Sequence, residues 1–185
     1  MPKMMPPGTS IWWIDEADIT SPNPAVDLAN PTTYNGETAK AVDISCAVVT
    51  GFTLNPTDSD TDDTQSICDA AAVATPVREN YEASLTFFRE KMTEAGVGTD
   101  TPADKAFGLF RDGIQSGQKT GWLVKRIGWK QGTPVADGHI LSAFKVSPDN
   151  PRDSVGDATT AIQFEVPFLP QGEMYLNLTA ATPTP

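Results

Sequence analysis

In the stretch Asn80 to Glu90, NYEASLTFFRE, the residues Tyr81, Ala83, Leu85 and Phe87 take odd positions, while Glu82, Ser84, Thr86 and Glu90 take even ones. Successive strand residues point to opposite faces, so this pattern predicts a strand with a core on one side and water, or a water-filled channel, on the other. Phe88 breaks the alternation where such a strand leaves its sheet or meets a second surface. Asp43 to Leu54, rich in Val, Ile, Phe and Thr, predicts another strand, bent or bulged at Gly51. Thr120 to Trp129 carries large apolar groups on both faces and predicts a strand covered on both sides. His139 to Ser147 follows with Ile140, Phe144 and Val146 in phase. From Asp157 to Val166, Thr160, Ile162, Phe164 and Val166 alternate with Thr159, Ala161, Gln163 and Glu165, and Pro167 and Pro170 are expected to stop the pairing.

One helix is expected, over about residues 102–112. Thr101 suits the N-cap, Pro102 the first turn and Asp104 the positive end. Ala103, Ala106, Phe107 and Phe110 recur at helical spacing, and Gly113 suits the C-cap. So short a helix, weakened by Gly108, must be held by packing one face on a sheet. The pattern therefore gives a mainly β domain over residues 41–168, a sandwich or partial barrel with one flanking α-helix.

The two ends read differently. Residues 1–40 have prolines at 2, 6, 7, 22, 24 and 31 and no sustained period. Ile11, Trp12, Trp13 and Ile14 form an apolar cluster too short to make a core alone, followed at once by Asp15-Glu16-Ala17-Asp18. This end is expected to be an extended arm whose cluster docks on a neighbouring chain; the alternative is an ordinary N-terminal strand and long loop of one subunit. Residues 169–185, with Met174, Tyr175 and Leu176, read as a second arm that buries apolar groups on a neighbour.

The formal net charge of −11 over 185 residues argues against a basic groove that grips nucleic acid, because phosphate binding needs Lys and Arg to displace counterions. It leaves open an acidic wall that does not hold nucleic acid, or solubility alone. Cys46 and Cys68 are too few for a disulfide scaffold; Cys46, in an apolar run, is expected to be a buried reduced thiol, and a bridge between the two stays open. No secretory or membrane-spanning apolar run is present, so synthesis in the cytoplasm is expected.

Candidate chemistry is sparse. Asp58, Asp60, Asp62 and Asp63, with Asp69, partly match the ligand spacing of a twelve-residue calcium loop. Asp63, however, stands where that loop needs glycine, Asp69 replaces the bidentate Glu, and no helix signal flanks it, so a solvated acidic loop is the better reading. His139 is the single histidine and suits a strand end or an interface. There is no nucleophile elbow, zinc motif, phosphate loop or dinucleotide fingerprint. Trp122 and Trp129 fall on opposite faces of a regular strand, which argues against a joint stacking platform. No catalytic residue, metal ligand or cofactor is expected, and the chain reads as structural rather than enzymatic.

The run DISCAVVTGFTLNPTDSDTDD, then Cys68-Asp69, NYEASLTFFRE, DKAFGLFRDG and a Gly-Trp strand resembles major tail proteins of long-tailed bacteriophages, in particular tail tube proteins of phages that infect actinobacteria. The resemblance spans about residues 10–180. It implies a tail-tube-type β-sandwich in a virion, assembling as hexameric rings stacked into a hollow tube with a continuous inner β-barrel. It implies as partners other copies of the chain, a tape-measure protein, a tail terminator and baseplate proteins, with DNA passing through unbound. On that reading Glu82, Ser84, Thr86, Thr159, Gln163 and Glu165 line the channel, although the same faces suit an outer surface equally well. Asp58, Asp60, Asp62 and Asp63 would then belong to a loop that ties ring to ring. The alternatives are another virion ring protein, such as a baseplate or head–tail connector subunit, or a calcium-dependent carbohydrate-binding β-sandwich.

Overall fold

The computed structural model describes residues 8–31, 33–34, 37–38, 41–62, 75–89, 102–112, 119–154 and 162–180. In chain order the strands are β1 (Thr9–Asp15), β2 (Thr33–Tyr34), β3 (Glu37–Thr38), β4 (Val42–Asp43), β5 (Thr53–Asp62), β6 (Thr75–Phe88), β7 (Gly121–Ile127), β8 (Ile140–Pro148), β9 (Arg152–Ser154) and β10 (Gln163–Thr179). Helix α1 is Pro24–Leu28, and α2 is Pro102–Phe107 continuing as a wider π-type turn, Gly108–Asp112. The protein is mainly β. Among the described residues, an eight-stranded antiparallel sheet runs β4-β1-β7-β8-β10-β6-β5 with β9 beside β10, and β2 and β3 form a separate pair.

Strand β10 organises this sheet. Its first half pairs with β6, Phe164 opposite Phe87 and Val166 opposite Leu85. Its second half pairs with β8, Met174 opposite Phe144 and Tyr175 opposite Ala143, with register shifts after Pro170 and after Tyr175. The expectation that Pro167 and Pro170 end the pairing is therefore corrected. They sit where the strand passes from one partner to the other, a place where a missing N–H costs little.

The sheet folds back on itself about β10. Ile11 and Trp13 of β1, Leu123 of β7 and Phe144 and Val146 of β8 meet Leu54 of β5, Tyr81 to Phe87 of β6 and Phe164 to Phe168 of β10 in one core, closed by Ala106 and Phe110 from the helix. Phe110 meets Trp13 edge-on at 5.2 Å and stacks on Phe87 at 5.3 Å. A second core covers the other face of β1, β7 and β8: Trp12, Ile14, Trp122, Val124, Leu141 and Ala143 lie under Leu28 of α1 and Ala180. The two-sided β7 and helix α2 packed on the sheet agree with the sequence pattern, whereas α1, which lies in the expected arm and covers the second core, is a helix the pattern did not give.

Two polar ties hold the fold-over. The Tyr81 hydroxyl donates to the Lys145 carbonyl and accepts the Gln171 N–H at 2.8 Å, filling the irregular stretch of β10. Burial raises the Tyr81 pKa above its ordinary value, so the hydroxyl keeps its proton at neutral pH. The Lys125 ammonium donates to the Leu54 carbonyl and, at 2.8 Å, to Asn55 Oδ1, joining β7 to β5. Tyr81→Phe is expected to lower unfolding free energy by about 1–2 kcal/mol, measured by urea titration, because two partly buried backbone groups lose their partner. An unchanged midpoint would remove Tyr81 from this role.

The ends correct the arm expectations. Residues 9–15 form β1, between β4 and β7, with Trp12 opposite Asp43 and Val124. Ile11, Trp12, Trp13 and Ile14 are 2–4% exposed within their own chain, so they do not present an apolar cluster to a neighbour. Gly121 lies opposite Asp15, and a Cβ there would fall 2.6 Å from the Ile14 carbonyl oxygen, so this close approach of β1 to β7 needs glycine. Residues 169–179 continue β10: Met174 packs on the first core and Tyr175 on the second, tilted over Trp122 at 5.6 Å, while Leu176 stays 44% exposed. The expected strand from Asp43 to Leu54 is replaced by β4, a short 3-10 turn at Ser45–Ala47 and a turn at Gly51 (φ 92°) that leads into β5. Cys46, expected to be buried, is exposed, and Cys68 lies outside the described residues.

Candidate assembly and lumen surfaces

With Tyr81, Ala83, Leu85 and Phe87 turned into the core, the pleat sends Glu82, Ser84 and Thr86 to the opposite face of β6. Register adds Thr53 opposite Ser84 and Asn55 opposite Glu82 from β5, and Glu165 opposite Thr86 from β10. Gln163 is the next residue on that face of β10, and the Ser84 hydroxyl bonds Glu165 Oε1 at 3.1 Å. The structure thus brings Glu82, Ser84, Thr86, Gln163 and Glu165 together on one polar face. Thr159 lies outside the described residues. Arg152 of β9 stands opposite Glu165 and puts a positive charge at the margin. Carboxylates, hydroxyls and amides so arranged can hydrate a surface; they offer no basic groove to hold phosphate.

Asp58, Asp60 and Asp62 are not in a loop, as the sequence suggested, but in β5, which is exposed from Asn55 to Asp62. Together with the start of β6 this stretch forms a two-stranded ribbon, with Asp60 opposite Arg78 and register shifts between Thr57 and Thr61. The Asn80 amide braces it, donating to the Asp58 carbonyl at 3.2 Å and to Asp60 Oδ1 at 2.9 Å. Pairing with β6 is what extends this polar run, and composition alone carries no sign of that partner. Asp63 and Asp69 lie outside the described residues.

Sequence reasoning missed Arg126. It sits on the second-core face of β7, is 0% exposed, and lies 5.2 Å over the Trp12 ring. Its guanidinium donates to the Thr133 carbonyl at 2.8 Å, the Pro134 carbonyl at 3.2 Å and Ser10 Oγ at 3.2 Å. Burial lowers its pKa, opposed by the field of Asp43. His139 lies beside it, 6% exposed, with Nδ1 3.3 Å from the guanidinium and accepting the Ala136 N–H at 3.2 Å. That acceptor role places the imidazole proton on Nε2. The ring stacks on Trp129 at 4.0 Å, so the one histidine is a structural strand-end residue.

Lys145 of β8 ties the turn after β1 to the second half of β10. It reaches Glu16 at 2.8 Å and Glu173 at 3.1 Å, and the Glu16 bond leads in raising its pKa. No described helix is long and apolar enough to cross a membrane.

The described residues thus form a folded-back antiparallel sheet with two short α-helices, a polar face and an exposed ribbon. Residues 3–183 match the family described as phage tail tube protein. The chain belongs to that family, which is a family of virion components and not of enzymes. Among solved structures it is similar to a chain of the anti-feeding prophage baseplate determined by cryo-electron microscopy and 6-fold symmetrised. The TM-score is 0.52 at 9% identity, covering 95% of this chain and 97% of that one, and the likeness is one of fold. No curated protein matches the sequence.

Proposed function

We propose that copies of this chain assemble into hexameric rings that stack as a hollow tail tube, and that DNA passes along a channel lined by the polar face of β5, β6 and β10. The observation that carries the reading is that face itself, where Glu82, Ser84, Thr86, Gln163 and Glu165 align across paired strands in a chain of net charge −11. A wall of carboxylates repels the phosphate backbone, so genome moves without being bound. The neighbour of like fold belongs to a baseplate symmetrised six-fold, which is in keeping with sixfold rings; the second reading is a baseplate-type ring that does not stack. In the virion the partners would be a tape-measure protein, a terminator and baseplate proteins, after assembly in the host cytoplasm.

Negative-stain electron microscopy of the purified protein across a concentration series tests the assembly. Stacked hollow rings are expected; single rings at every concentration would favour the second reading. The lining has its own test. Particles carrying Glu82→Lys with Glu165→Lys should form tubes of normal diameter yet eject DNA severalfold more slowly, because lysines on the wall bind the phosphates that pass. Wild-type ejection kinetics in such particles would put this face on the outside of the tube.

A further inference from the structure

The apolar face of the sheet runs past its cover. Trp13, Leu123 and Phe144 are buried on it, and the Lys125 tie to β5 marks the last covered row. On the same strands and in the same phase, Ile127 is 54% and Ile140 is 58% exposed. With Trp129, 44% exposed, and Asn177 they line a concavity of about 490 Å³. Asn177 turns the backbone there at φ 58°. Aromatic residues at the wall of an apolar concavity are frequent anchors of interfaces.

A second apolar feature lies at the other end of β10. Phe88, paired with Gln163, is 38% exposed on the polar face, and its neighbour Ile162 is 48% exposed in phase with the core. The end of the β6–β10 layer is thus an edge that is apolar on both faces, a shape suited to inserting into a concavity. Gln163 and Asn177 stand at opposite ends of β10, the first paired with β6 and the second beside β8. One molecule therefore carries both halves of a contact, in different places.

We propose that the Phe88–Ile162 edge of one copy seats in the Ile127–Trp129–Ile140 concavity of the next. Two different patches meeting make a heterologous, head-to-tail contact, which repeats from copy to copy instead of closing as a two-fold dimer. The exposed apolar groups amount to a few hundred Å², below the roughly 800 Å² per partner of a stable standard interface. A single contact accordingly leaves monomers in dilute solution, and repetition in an assembly holds it. Arg89, paired with Asp153, and Arg152 stand beside the edge, and Lys125 lines the concavity, so charge does not favour the contact and the apolar match sets it. This inference rests on the self-assembly proposed above and names one of its contacts.

The test uses the full chain with Cys46→Ser and Cys68→Ser, to which Ile140→Cys and Ile162→Cys are added together or singly. Mild oxidation under assembling conditions should give the double variant a ladder of disulfide-linked trimers and longer chains, while each single variant stops at dimers or below. Ile140→Glu and Ile162→Glu, both at exposed positions, should each melt within about 2 °C of wild type and lose at least tenfold in tube yield. Tubes without a ladder, or normal tube yield from either Glu variant, would overturn the contact and leave the tail tube reading standing. A ladder without tubes would keep the contact and remove the tube; neither ladder nor tubes would remove both.

Discussion

A chain lacking residues 1–20 is expected to lose its fold, giving insoluble or non-cooperatively melting protein in place of a soluble monomer that merely fails to polymerise. The deletion removes β1, which pairs on both sides with β4 and β7. It also empties both cores, taking Ile11 and Trp13 from one and Trp12 and Ile14 from the other. Truncating one such buried side chain to alanine costs about 2–5 kcal/mol. A domain has only about 5–15 kcal/mol in total. Trp13→Ala alone, losing the contacts with Phe110 and Phe168, is expected to cost about 3–5 kcal/mol. Far-UV circular dichroism and a thermal melt check both variants. A soluble truncated chain with a sharp transition would place β1 outside the fold and restore the arm.

The misreading of β1 has a physical origin. Sequence patterns report a strand through alternation, and Ile11-Trp12-Trp13-Ile14 does not alternate, because both of its faces are covered. Its principal partner, β7, lies more than a hundred residues further along the chain, so nothing local announces the pairing. Where one face is wet the code is plain: Tyr81, Ala83, Leu85 and Phe87 are buried and Glu82 is exposed, in phase with the alternation. The helix was legible from Ala106 and Phe110 at helical spacing, both fully buried, while its expected caps, Thr101 and Gly113, lie outside the described residues. The second arm dissolved for another reason. Pro167 and Pro170 look like strand stops, yet β10 changes partners at that point and runs on to Thr179. Of the polar face, the β6 half and Gln163 and Glu165 were legible from period two, whereas their meeting across β6 and β10 depended on register.

Arg126 was not singled out in the sequence, although a strand covered on both faces leaves no wet side for Lys125-Arg126, and its replacement tests the buried network most sharply. Arg126→Met is expected to lower unfolding free energy by about 2–4 kcal/mol, because the Thr133 and Pro134 carbonyls and the Ser10 hydroxyl lose their donor. The side chain also spans the start of β1, the turn after β7 and the residue before β8, so three segments loosen together. Arg126→Lys should recover little of the loss. A single ammonium cannot reach the Thr133 and Pro134 carbonyls and Ser10 as the planar fork does, and it costs more to desolvate. Urea titration of both variants, with hydrogen exchange on the amides of Gly128 and Trp129 that bond the Gly8 carbonyl, provides the measurement. Loss of protection at those amides in both variants is the expected outcome. A Lys variant as stable as wild type would mean that charge alone, and not the fork of donors, is what this part of the fold requires.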